Sequence, residues 1–422
     1  MSRVRAILGI CAVGCMLALP LSSAQAGAFS IYEQGARAMG RASAFAACPS
    51  DPSAMFYNPA GLAMLEGTQV YLGGTAIMPS GDFSGSGALT GVTADQEKQT
   101  FLPPNLYVSH QLSDQLTLGL GVHAPFGLGT KWPETFIGRY AAYETSIAGV
   151  AINPTVAYKL NDNLAFGVGV DVRLSKLILK RYNGQDVGGG TILDVATADL
   201  ETDMANAIGF NAGALYQATD QISIGLAYRS KVEIEYEGTA TIEQITTGIP
   251  AIDGAVATLV GDHDVATSIA YPSVLTAGVA YKASDQLLLE VDVNMVGWSA
   301  FEQLEVTGLP TGIETIEEDY ENSITVRVGG EYWLKEDMAL RFGYLYDQSP
   351  VPAKSISPLL PDADRNGITF GFGKTFGNMT LDVAGMYLMF ADADTEGLAA
   401  LNGIYKNSAL LFAVNLGFAL GG

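Results

Sequence analysis

Past its first twenty-six residues the chain has no long unbroken apolar run, although 48% of its 422 residues are hydrophobic. A helix needs roughly 20 consecutive apolar residues to cross a bilayer, so no membrane-spanning helix is expected there. Cysteine is almost missing, with only Cys11, Cys15 and Cys48 present, which excludes the small secreted folds held by disulfides. Basic residues are scarce, 22 against 44 acidic, so no nucleic-acid partner is expected. The three histidines, His110, His123 and His263, show no metal-ligand spacing. Gly297-Trp-Ser-Ala-Phe301 lacks the closing glycine of a nucleophile elbow. Asp362-Ala-Asp-Arg-Asn-Gly367 opens like a calcium loop, but Gly373 stands where the bidentate glutamate belongs. No catalytic residue, metal or cofactor is therefore expected.

What is present begins with an export signal. Arg3 and Arg5 precede an apolar run, Ala6 to Leu21, and the small-residue sequence Ala24-Gln25-Ala26. The run is too short for an anchor and Pro20 breaks it, so residues 1–26 read as a signal peptide cleaved after Ala26. Cys15 follows Ala-Val-Gly, but the apolar run continues past it, against a lipoprotein site. Cleavage leaves Cys48 as the single cysteine, and 20 basic residues against 44 acidic.

The remaining sequence alternates with period two. From Leu164 to Leu174, Leu164, Phe166, Val168, Val170, Val172 and Leu174 share one face, and Ala165, Gly167, Gly169, Asp171 and Arg173 the other. The pattern returns at Ile222–Arg229, Leu287–Met295 and Leu340–Tyr344. Tight polar turns precede most such strands: Ser113-Asp114, Asn161-Asp162, Thr219-Asp220, Ser284-Asp285, Lys335-Glu336 and Gly377-Asn378. Tyr158, Tyr216, Tyr281 and Tyr332 lie just ahead of four turns and read as an interfacial belt.

Long polar excursions separate the hairpins, near 79–101, 125–145, 181–203, 238–265, 299–321, 347–366 and 391–405. Short turns at one end and long loops at the other mark an outer-membrane barrel. The expected fold is all-β, a transmembrane antiparallel β-barrel of about 14 strands running from near residue 68 to near residue 419. A soluble sandwich would bury Arg173, Glu290, Asp292, Arg341 and Asp382 unpaired, at high cost, whereas a barrel with a polar lumen would not. Residues 27–66 do not alternate. Ser50-Asp-Pro52 and Asn58-Pro-Ala-Gly-Leu62 each set a capping residue before proline, as at the start of a short helix. This segment is expected to plug the lumen as a hatch, leaving 67–422 for the barrel.

The chain resembles the FadL family of long-chain fatty acid transporters of Gram-negative outer membranes. The likeness rests on Gly35 to Arg41, Asn58-Pro59-Ala60, Ala124-Pro-Phe-Gly-Leu128, Gly138-Arg-Tyr140, Asn153 to Tyr158, Trp298-Ser299, Gln348 to Pro352 and Pro361 to Arg365, in that order along nearly the whole chain. The resemblance implies a fourteen-stranded barrel, a hatch, an apolar cavity above it and a lateral opening in the wall. Such barrels usually end in an aromatic residue, whereas this chain runs Phe418-Ala-Leu-Gly-Gly422, leaving Phe412 or Phe418 for that role. It also implies passive outer-membrane transport by a monomer, with outer-membrane lipid and lipopolysaccharide, the barrel assembly machinery and a hydrophobic small molecule as partners.

Candidate site residues follow. The third strand, Leu116 to His123, is interrupted by Pro125-Phe126-Gly127, the expected lateral opening; proline cannot donate to a ladder. Phe29 and Ile31 are expected to plug the cavity, and Phe126, Trp132 and Phe136 to form an outer apolar catch. Lys131, Arg139, Lys354 and Arg365 are the candidate cations for a fatty acid carboxylate. A neutral aromatic hydrocarbon would need none of them, and an open porin for polar solutes or an outer-membrane lipase are the remaining alternatives.

Overall fold

The computed structural model describes residues 27–420, so the export signal expected at 1–26 lies outside the described residues. The chain from Thr68 to Leu420 forms fourteen antiparallel strands. They are β1 Thr68–Gly85, β2 Pro104–Ser113, β3 Leu116–His123 with Gly127–Lys131, β4 Glu144–Asn161, β5 Leu164–Asp186, β6 Ile192–Thr202 with Ala205–Gln217, and β7 Ile222–Arg229 with Val232–Gln244. Then come β8 Gly261–Tyr271 with Val274–Ser284, β9 Leu287–Val296 with Gln303–Leu309, β10 Gly312–Glu317 with Ser323–Lys335, β11 Met338–Asp347, β12 Arg365–Phe376, β13 Met379–Phe390 and β14 Gly403–Leu420. Each pairs with its predecessor, and β14 returns to β1 in unbroken register from Thr68↔Leu420 to Gly85↔Gly403. No described helix is long and apolar enough to cross a membrane. The strands do so instead, because closure leaves no unpaired backbone edge in the hydrocarbon.

The alternation sorts faces as expected. On β5 the odd-numbered residues Ala165 to Leu179 are buried in the lumen and Phe166, Val168 and Val170 are exposed outward. Tyr158, Tyr216, Tyr281 and Tyr332 are all exposed, just above the tight turns. The long excursions are more ordered than their polarity suggests. β5 continues to Asp186, β7 to Gln244, and Gln303–Leu309 pairs with Gly312–Glu317 where a loop was expected. Beyond the bilayer both faces of a strand can be polar, so the ladder persists after the apolar signal has ended.

Residues 27–66 fill the lumen, with short helices α1 Ala36–Met39 and α2 Ala54–Tyr57 and a 3-10 turn at Pro59–Met64. Asn58 caps that turn, its Oδ1 accepting from the Ala60 N–H at 3.1 Å while its Nδ2 donates to the wall at Ala214 O, 3.0 Å. One expectation is corrected here. The lumen charges were expected to face water, yet Arg173, Glu290, Asp292, Arg341 and Asp382 are all buried. The hatch packs onto this charged wall and supplies partners for Glu290, Asp292 and Glu331, while Arg341 and Asp382 pair along the wall itself. Arg41 pairs with Glu290, and Glu331 receives Arg37 at 2.9 Å, Arg341 at 3.2 Å and Arg41 at 3.3 Å. Asp292 accepts the N–H groups of Phe45 at 2.8 Å and Ala46 at 3.0 Å.

Outer-membrane barrels keep their short turns periplasmic, so the tight turns are expected there. In a Cys48→Ser background, cysteines at Thr90 and Pro250 should react with an impermeant maleimide on intact cells, and a cysteine at Asp220 should not. The reverse pattern would invert the barrel.

Candidate functional site

The site begins where β3 breaks. Its ladder with β2 ends at Leu106↔Val122 and Gly127–Lys131 resumes against β4. Pro125 has no N–H to offer a neighbouring strand. The first residues of the hatch take up the freed groups instead. The Ile31 N–H donates to Pro125 O and the Gly127 N–H to Phe29 O, both at 2.9 Å, with Ser30 opposite Phe126. Gln34 Nε2 adds a bond to Ala124 O at 2.6 Å. Residues 29–31 thus form a short inner strand against the kink.

This pairing thrusts Phe29 into an apolar chamber above the hatch. Its ring lies 4.7 Å from Trp298, 5.6 Å from Tyr271, 5.8 Å from Phe301 and 6.2 Å from Phe126. Val232, Ile234 and Leu177 complete the wall, and Tyr320 packs on Trp298 and Phe301 from the outer side. A small cavity of about 30 Å³ lies on the hatch side between Ile31, Phe56, Phe126 and Arg229.

A buried cation reaches the chamber. Arg173 on β5 is 3% exposed, and its guanidinium lies 5.1 Å over the Phe126 ring. Its Nη2 stands 3.7 Å from Asp171, but none of its three nitrogens makes a hydrogen bond. Asp171 is bound instead by Arg229, whose other nitrogen donates to Phe56 O. The guanidinium borders a gap of only about 10 Å³ together with Phe126, Ser175, Ile234 and Tyr271. A buried donor set without acceptors is costly unless a ligand completes it.

The expected residues fall in different places. Phe29 and Phe126 meet in the chamber, whereas Ile31 packs in a second cluster with Met39, Ile77, Phe101 and Met386. Trp132 and Phe136 are not an exposed catch. They are buried with Phe83, Ile356 and Tyr405, and Trp132 Nε1 donates to Pro358 O at 3.1 Å, so they pin the outer loops. All four expected cations are engaged: Lys131 with Glu97 (3.4 Å) and Glu144 (3.8 Å), Arg139 with Asp194 (3.0 Å), Lys354 with Asp319 (2.7 Å) and Arg365 with Asp347 (2.9 Å). Sequence reasoning had Arg173 on the polar face of β5 but read it as one lumen charge among several.

The closed barrel, the ion-paired hatch and the aromatic chamber above it define a plugged outer-membrane channel for hydrophobic molecules. The chain belongs to the outer membrane protein transport protein (OMPP1/FadL/TodX) family, whose model matches residues 17–419. It is 25% identical over 441 residues to the long-chain fatty acid transport protein of Escherichia coli O6:H1, covering 97% of this chain and 98% of that protein. Outer membrane protein P1 of Haemophilus influenzae is 26% identical, with 88% and 87% covered. A Pseudomonas aeruginosa FadL homologue has the same fold, with a TM-score of 0.83 at 21% identity, 94% of this chain and all of that one. The Pseudomonas putida toluene transporter TodX gives 0.73 at 19% identity, with 96% and 100% covered.

Two outcomes are expected. Glu331→Ala leaves Arg37, Arg41 and Arg341 without their common carboxylate, a loss of roughly 3–5 kcal/mol in hatch docking. Planar bilayers should then show ion conductance that the native protein lacks; a silent variant would mean the hatch is held elsewhere. The second concerns Glu318, buried beneath the outer loops beside Tyr320, whose carboxyl is pushed up to about 8 by loss of water. The buried carboxyl holds its proton more tightly than it would in water, so the loop packing over it is favoured while it is protonated. Its extra stability is complete below the ordinary pKa near 4.5, declines as pH rises, and is gone above about 8. Ligand release should quicken between pH 5 and pH 9, and Glu318→Gln should flatten that profile.

Proposed function

We propose that the protein carries long-chain fatty acids passively across the outer membrane, the carboxylate resting on Arg173 and the chain in the aromatic chamber. The carrying observation is the buried guanidinium with three nitrogens lacking acceptors, set in an otherwise apolar lining. A carboxylate brought out of water needs such a donor, and a charge-assisted bond contributes about 1.5–3 kcal/mol. The similarity to the fatty acid transport protein of Escherichia coli supports this reading. A neutral aromatic hydrocarbon, the cargo named for TodX, would leave the guanidinium as it is. Lys131, Arg139 and Lys354 are paired in the outer loops, and Arg365, whose nitrogens also lack hydrogen bonds, is held closer by Asp347 (2.9 Å) and packs over Phe390 rather than in the chamber, so the four are set aside for this role.

Residues 1–26 act as the export signal, 27–66 as the hatch and 67–422 as the barrel. The barrel works as a monomer among outer-membrane lipid and lipopolysaccharide, after insertion by the assembly machinery. Pro125, Phe126 and Gly127 form the lateral opening. A chain entering the chamber displaces Phe29, and that movement strips residues 29–31 from the kink and frees the window toward the bilayer.

Arg173→Ala should weaken oleate binding roughly 10- to 100-fold, the worth of one charge-assisted bond, and leave toluene binding unchanged. Asp171 keeps Arg229, so the wall should stay intact. Equal loss for both ligands, or for neither, would remove the carboxylate site and favour a hydrocarbon substrate.

A further inference from the structure

The kink in β3 is not the sole interruption of the wall. β6 and β7 pair from Ser223↔Gln217 up to Arg229↔Asn211, and again from Gly238↔Thr202 to Gln244↔Ala196. Between these stretches they form no ladder pair, although β6 stays paired with β5 through Ala205 and β7 with β8 from Val232. Each strand keeps its outer neighbour and stays beside the other, Val232 lying against Gly209, without ladder bonds between them.

Two offset bulges frame the parting. On β7 the exposed, outward positions are Ile224, Leu226 and Tyr228 below, but Lys231, Glu233, Glu235 and Glu237 above, so one extra residue enters at Ser230. On β6 they are Phe210 and Ile208 below, but Asp203 and Glu201 above, so another enters at Asp203–Met204. Ser230 still holds Phe210 O at the lower end, and the Asp203 N–H holds Glu237 O at the upper. Within the slit the faces match when Ile208 stands opposite Glu233 and Gly209 opposite Val232. Six residues a side make a slit roughly 20 Å long at about 3.3 Å per residue.

Its lips differ. One carries Met204 and Ile208, the latter 72% exposed, and the other carries Glu233, Glu235 and Glu237. The slit therefore begins where the apolar outer band ends, at the level where water can solvate unpaired backbone groups. Directly behind it lie Val232 and Ile234 of the chamber, and Ala207 is the ladder partner of Arg173. Separating paired strands breaks their ladder bonds; here those bonds are already unmade.

We propose that the β6–β7 slit is a second portal, through which an amphipathic substrate already dissolved in the outer leaflet reaches the Arg173 chamber. The tail slides past Met204 and Ile208 while the head travels along the hydrated lip. The kink at Pro125 is closed by residues 29–31 while Phe29 is seated, so exchange with the outer leaflet runs through the slit in both directions. This inference concerns the route and uses the chamber of the proposed function as its destination.

A cross-strand disulfide tests it. Ile208→Cys with Glu233→Cys should pin the lips. Ala212→Cys with Tyr228→Cys, an outward ladder pair below the slit, is the control. Both are reconstituted in vesicles in a Cys48→Ser background, and binding of a nitroxide-labelled stearate is followed by tryptophan quenching. Oxidising the slit pair should slow association and dissociation together, at least tenfold, with Kd unchanged, and reduction should restore both rates. The control pair should alter neither. Unchanged rates after complete oxidation, or failure of the slit pair to oxidise while the control does, would overturn the portal. A raised Kd in the oxidised protein would also overturn it, since the pair would then be acting on the chamber; loss of stearate binding in the reduced protein would count against the fatty acid reading instead.

Discussion

Everything in this molecule follows from the need to keep backbone N–H and C=O groups paired inside hydrocarbon. The register from Thr68↔Leu420 to Gly85↔Gly403 closes the sheet on itself and removes both edges at once. Any departure from the ladder then has to be matched by another partner or by water. At Pro125 the partner is the hatch, whose residues 29–31 substitute for the missing strand. That substitution is why the plug and the wall opening form one unit rather than two. Phe29 is both the residue that bonds the kink through its carbonyl and the residue that fills the chamber with its ring.

The second constraint is charge. A lumen this size, left open, would be a water-filled pore, and its wall carries the charges such a pore would tolerate. Here the hatch brings Arg37 and Arg41 to Glu290 and Glu331, and bare N–H groups to Asp292. Removing any one partner strands the others in a dry place, so complementarity fixes the hatch in addition to its apolar clusters. The same logic makes the plug a poor candidate for wholesale expulsion during transport. Motion confined to residues 29–31 breaks two backbone bonds at the kink and leaves the ionic contacts below untouched.

The wall was legible in the sequence and the chamber only partly so. Period-two alternation, the aspartate turns and the tyrosine belt are local signals, set by strand geometry and bilayer chemistry, and they place β5, β7, β9 and β11 directly. Asn58 before Pro59 likewise announces its cap. What alternation cannot show is which lumen charge finds a partner, because the partners come from a segment hundreds of residues away. Lys131, Arg139, Lys354 and Arg365 stand in polar loops and look available, but cross-strand and loop neighbours such as Glu144 and Asp194 engage them. Arg173 looks like one charge among many on its strand, and only the folded arrangement bonds Asp171 to Arg229 and leaves the Arg173 nitrogens without a hydrogen bond. The bulges at Ser230 and Asp203 hide for another reason: a one-residue shift of parity in a charged stretch has no apolar pattern to disturb.

The position of Asp171 resolves an apparent contradiction in the chamber. A guanidinium with no counter-charge could scarcely be kept in so dry a place, and one fully bonded could not bind a ligand. At 3.7 Å, Asp171 is near enough to offset the charge of Arg173 and too far to occupy its donors. Arg229 holds Asp171 in that intermediate place through a direct ion pair and is itself tethered to Phe56 O in the hatch. The hatch, by fixing Arg229, thereby sets how much of the Arg173 charge remains for a substrate. The affinity of the chamber and the seating of the plug are two readings of one electrostatic arrangement.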